Sequence, residues 1–243
     1  MAGSLLQVLL YGALCGISLL VGSVVSSRWW TPSAKARSYI QHFAGGLVFA
    51  AVGVEVLPDL LHRALPLAAA LGFSLGVALV MGTQAVSERL SKKDGERPWS
   101  LVAVIVTDIF TDGLLIGVAA VAGKEGGSQA LLVTLALAAE MLSLGLSMGC
   151  TLVKEHGFSL RAVALTGGLM GLAPFVGSGL GFAIGGTVGA TWVEGILAFA
   201  AAALLYLAVE ELLKDAHETK DTPVGNLLFF GAFLAIMLID MVS

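Results

Sequence analysis

The feature that most restricts this chain is the length of its apolar runs. Residues 128–153 hold a single charged side chain, Glu140, and residues 224–242 hold only Asp240. About 20 apolar residues in a helix cross the roughly 30 Å hydrocarbon core of a bilayer. Inside lipid only helices and closed barrels satisfy their own backbone hydrogen bonds. With 57% hydrophobic and 12% charged residues and a mean hydropathy of +0.93, the solvent of this chain is lipid. Its 243 residues leave no room for a sizeable soluble domain.

Polar, glycine and proline breaks divide the chain into eight predicted membrane helices, near 4–27, 38–62, 66–89, 100–122, 128–154, 159–184, 190–214 and 224–242. They form a single transmembrane domain. Eleven of the 13 Lys and Arg fall in the first, third, fifth and seventh joints. The positive-inside rule places those joints in the cytoplasm and both termini on the extracellular or periplasmic side. The first run has no basic region before it and no small-residue cleavage site after it, so it is read as a retained helix. Cys15 and Cys150 lie in apolar runs without metal or redox spacing and are read as small buried hydrophobes. Trp29, Trp30 and Trp99 suit the membrane interface.

The chain also resembles itself. Glu55-Val56-Leu57-Pro58-Asp59, late in the second helix, matches Glu211-Leu212-Leu213-Lys214-Asp215, late in the seventh, and His62 and His217 follow. The two helices run in opposite directions across the bilayer, the pattern of an inverted repeat in secondary transporters.

Chemistry concentrates in the fourth and fifth helices. Asp108 and Asp112 stand at i and i+4, hence on one face. Glu140 lies in the fifth helix, with Ser143 and Ser147 on nearly the same face. A carboxylate in hydrocarbon is costly and faces a bundle interior, water or a cation. The spans 100–122 and 128–153 contain no Lys or Arg, so a metal ion or protons must neutralise the trio. The plainer alternative is a protonated polar contact between helices. Gly113, Gly117, Gly145 and Gly149, spaced in fours, are read as helix-packing positions.

The stretch from Asp108 to Gly117, DIFTDGLLIG, resembles the fourth-helix signature of the ZIP metal transporters, usually HNxPEGLAxG or HNFxDGLAIG. Glu140 to Ser147, EMLSLGLS, is similar to the companion fifth-helix HExPEGLA. Gly45 to Leu61 looks like the second-helix pattern ending in HLLPEA, Gly171 to Pro174 like a sixth-helix GLxEP segment, and Tyr206 to Leu213 like the end of the seventh. The resemblance implies an all-α ZIP-like bundle that moves a divalent metal cation (manganese, zinc, iron or similar) toward the cytoplasm. On that reading Asp108, Asp112 and Glu140 form the metal site, with Ser143 or Thr111 adding oxygen.

This sequence departs from the pattern at Ile109, Met141, Leu144 and Ala173, and it lacks the motif histidines. The remaining oxygen donors suit manganese, magnesium or calcium better than zinc, and a second adjacent metal is not expected. Glu55 and Asp59 on one side, and Glu210 and Glu211 on the other, are candidate pathway residues; the alternative is solvated charge at helix ends. Glu194 and Asp240 are expected to be solvated near the outer surface. Gln84 is a candidate hydrogen-bond partner for another helix. His42, His62, His156 and His217 lie near predicted helix ends and are not assigned as ligands. No enzymatic role, resident cofactor or nucleic-acid partner is expected; lipid and the transported cation are the partners, with a homodimer left open and the cell (inner) membrane as location. The competing readings are the same fold carrying a non-metal substrate or protons, and a non-transporting membrane sensor or scaffold.

Overall fold

A computed structural model describes residues 4–94, 98–122, 128–217 and 222–242, and these are helical with no strand among them. The basic joint between residues 87 and 100, including Trp99, lies outside the described side chains. The helix α1 spans Leu5–Arg28 and α2 Ala34–Ala50. The latter continues through a π-helical segment, Ala51–Val56, into α3, Leu57–Arg63. Then come α4 (Pro66–Asp94), α5 (Pro98–Ala122) and α6 (Ser128–Lys154). They are followed by α7 (Leu160–Met170) and α8 (Leu172–Thr187). Next is α9 (Ala190–Leu207), which passes through a second π segment, Ala208–Leu213, into α10 (Lys214–Ala216). The chain closes with α11, Pro223–Val242.

Local chemistry sets these boundaries. Ser4, Ser33 and Ser159 accept hydrogen bonds from backbone N–H groups three residues on, the usual serine N-cap. Because Ser33 caps α2, this helix begins at residue 34, four residues before the sequence expectation, and Gln41 and His42 therefore lie two turns inside it. Pro174 cannot donate to the carbonyl at Met170, and the sixth predicted helix breaks there into α7 and α8. Pro58 likewise lacks an N–H beside the first π segment, whose end is marked by the Leu57 N–H bonding to the Val52 carbonyl, five residues back. Ala64, in the left-handed region at φ 52°, turns the chain from α3 into α4.

Seven helical stretches among the described residues are long and apolar enough to cross a membrane. They are α1, the composite Ala34–Arg63, Pro66–Ala85, Ala130–Lys154, Leu160–Thr187, Thr191–Glu210 and α11. The helix α5 carries Asp108 and Asp112, and the side chains of its residues 98–104 and 122 lie outside those described.

Packing sorts the helices into two groups. In one, α6 lies against α1, α1 against α7 and α8, and α5 against α8. In the other, α4 lies against α9 and α2 against α11. Glycines build the seams of the first group, as the spacing in fours implies. A Cβ at Gly145 or Gly149 would come within 2.3 Å of the Leu19 carbonyl or 2.2 Å of the Ser23 carbonyl of α1. One at Gly113 or Gly117 would collide with the Pro174 or Ser178 carbonyl of α8. These backbones touch directly, as small residues allow in lipid. The groups meet where α2 and its π segment cross α6, next to the acidic residues of α5 and α6.

Candidate metal centre

The i, i+4 spacing on α5 and the crossing of α5 with α6 bring Asp108, Asp112 and Glu140 together. One carboxylate oxygen from each lies within 4.8 Å of those of the other two. Asp112 and Glu140 are buried, at 6% and 3% exposure, and Asp108 is half-buried. A cavity of about 90 Å³ opens beside them, lined by Asp108, Glu140, Ser143 and Ser147 from α5 and α6. From the other group it is lined by Gln41 of α2, Leu207 of α9 and Leu212 of the second π segment. All the polar groups at this cavity are oxygen donors apart from the Gln41 amide nitrogen, and together they can cradle a hard cation.

Ser143 stands in the cavity wall. Thr111 does not line the cavity, and its hydroxyl donates to the Thr107 carbonyl at 2.9 Å. Gln41 was missed by sequence reasoning. Its signal is a carboxamide inside a membrane helix, and it was passed over because it fell within one turn of that helix's expected start. The departures from the motif are borne by packing. Ile109 and Met141 are fully buried in the apolar core, and Leu144 is part of the cavity wall.

The candidate pathway residues divide by side. Glu55, in the first π segment, is 4% exposed and lies beside Asp240 of α11. Asp240 is half-buried by this contact rather than solvated as expected. Asp59 is buried and accepts a 2.9 Å hydrogen bond from Arg63, one turn on. The same guanidinium is 4.0 Å from Glu194 of α9. Glu194 is fully buried, which corrects the expectation of a solvated helix-end charge: α3 folds back over it with a counter-ion. Glu210 is exposed, and the side chain of Glu211 lies outside what is described. Gln84 of α4 accepts a 2.7 Å hydrogen bond from Tyr206 of α9, the interhelical contact expected of it.

The family model for the ZIP zinc transporters matches residues 87–240, well over half of the chain. The chain belongs to the ZIP family. Its members move metal cations across membranes, and this chain is accordingly an integral, multi-pass membrane protein of a transporter family rather than an enzyme family. The matched stretch takes in the paired motifs of α5 and α6 that carry the three carboxylates, and runs into α11. No curated protein matches the chain. Within the ZIP pattern the distinguishing feature is the donor set: carboxylate, hydroxyl and carboxamide, with aliphatic or thioether side chains at Ile109, Met141 and Leu144.

Proposed function

We propose that this ZIP protein carries a divalent cation toward the cytoplasm through a site formed by Asp108, Asp112 and Glu140, with Ser143 and Gln41 completing the shell. The observation that carries the reading is the convergence of three carboxylate oxygens within 4.8 Å. At that separation each pair of negative charges repels by about 3 kcal/mol at an effective dielectric of 20. A divalent ion offsets this crowding, and the adjoining cavity has room for one that keeps part of its water.

The oxygen donors favour manganese over zinc, since zinc prefers imidazole and thiolate. The cavity is shared between the two helix groups, so motion of one group against the other opens it to alternate sides. In this reading α5 is the eighth crossing, the chain is one transmembrane domain with both termini outside, and it resides in the cell (inner) membrane. Protonation of the carboxylates releases the ion.

The test is ion uptake into proteoliposomes holding manganese, iron(II) or zinc outside. Asp108→Asn, Asp112→Asn and Glu140→Gln are each expected to lower uptake by at least about tenfold, the effect of 1.4 kcal/mol or more at the site. Unchanged uptake in the triple variant would overturn the assignment.

A further inference from the structure

A second site lies one residue along α2 from Gln41. The imidazole of His42, 2% exposed, faces that of His217, which follows α10, with ring centroids 5.3 Å apart and planes tilted by 50°. The Nδ1 of His42 is 2.8 Å from the Ser38 carbonyl. A carbonyl only accepts, so Nδ1 carries the proton and Nε2 carries a lone pair. That Nε2 is buried without a hydrogen-bond partner. Native structures seldom keep such an orphaned acceptor without a use. His217 is anchored the same way, its Nδ1 donating to the Leu213 carbonyl.

The surroundings hold the pair in place. Ser38, itself buried, donates at 2.7 Å to the carbonyl of Ala216, the residue before His217, and so pins the end of α10 over α2. On the other side the His42 ring packs against Gly225 of α11, where a Cβ would sit 3.1–3.3 Å from its Cε1, Nε2 and Nδ1. Donation of one ring N–H to a backbone carbonyl, leaving the other nitrogen to bind, is the usual support for a metal-ligating histidine. Zinc–nitrogen bonds of about 2.0–2.1 Å at a tetrahedral angle place two imidazole centroids about 5 Å apart, close to the separation found here.

We infer that His42 and His217 form a second metal site, selective for imidazole-seeking ions such as zinc, cobalt(II) or nickel(II), with water filling the remaining positions. His217 is exposed and His42 buried, so the site is reached from the His217 side. Metal binding by the two histidines does not rest on the function proposed above.

The experiment uses full-length protein carrying Asp108→Asn, Asp112→Asn and Glu140→Gln, titrated with zinc in a calorimeter and with cobalt(II) by its visible absorption. One zinc or cobalt ion is expected to bind, manganese is expected not to compete, and His217→Ala is expected to weaken binding by more than about tenfold. His217 is exposed, so its replacement leaves folding intact, and His42→Gln serves as the buried counterpart. No zinc or cobalt binding in the triple carboxylate variant, or binding undiminished by both histidine changes, overturns the inference. Neither outcome bears on the carboxylate site, which stands or falls by uptake in proteoliposomes.

Discussion

The composite helix Ala34–Arg63 and the run from Ala190 to Ala216 share one plan. Each is α-helical for four to five turns, passes through six residues of π-helix, Ala51–Val56 or Ala208–Leu213, and resumes as a short α-helix. Each π segment carries acid, Glu55 in one and Glu210 and Glu211 in the other. An aspartate and a histidine follow in both. They differ in how their ends are closed. Beyond the first segment, Arg63 gathers Asp59 and Glu194 into a buried ionic cluster. Beyond the second, a seryl hydroxyl and two imidazoles hold α10 to α2. One local pattern thus produces a charged clamp at one mouth and a contact between two imidazoles at the other.

The strongest way to break this contrast is to remove the clamp. Arg63→Met leaves two buried carboxylates without their guanidinium and is expected to destabilise the protein by about 3 kcal/mol or more. Thermal unfolding in detergent measures it. Adding Asp59→Asn and Glu194→Gln is expected to return most of the loss, and failure of that rescue would show that the cluster does not act through charge.

The two composite helices also differ in how tightly their glycines are seated. A Cβ at Gly46 would lie 2.2 Å from the Phe229 carbonyl of α11, whereas one at Gly195 would meet only the Ala68 carbonyl at 3.6 Å. Gly46→Ala is expected to cost about 1–3 kcal/mol by forcing α2 and α11 apart. Gly195→Ala is expected to gain up to about 1 kcal/mol from helix propensity. Equal unfolding temperatures for the two variants would erase the distinction. The smallest effect concerns the link between α9 and α4: Tyr206→Phe removes its hydrogen bond to Gln84 and is expected to cost about 1 kcal/mol in the same assay.

Much of the fold was legible because lipid imposes a single requirement on every span, and the apolar runs state it directly. The convergence of Asp108, Asp112 and Glu140 was legible for a similar reason, since i, i+4 spacing fixes a face and the motif pairs the helices. Glu194 and Asp240 were misjudged because a polar residue near a helix end looks the same in sequence whether water or another helix covers it. Only the packing of α3 over α9, and of α11 beside α2, decides. The first π segment has a local cause in Pro58, but the corresponding position of the second is Lys214, and nothing in its sequence accounts for it.

A π segment has a consequence for how such a helix tolerates changes of length. Its wider turn, bonded five residues back instead of four, takes up one residue more than an α-helix would over the same rise. Each composite helix therefore contains the equivalent of a one-residue insertion, absorbed locally. Loss of one residue between Ala51 and Val56 would return that stretch to plain α-helix while leaving Asp59, His62 and Arg63 facing the same neighbours. The register of each mouth is in this way insulated from the length of the span that carries it.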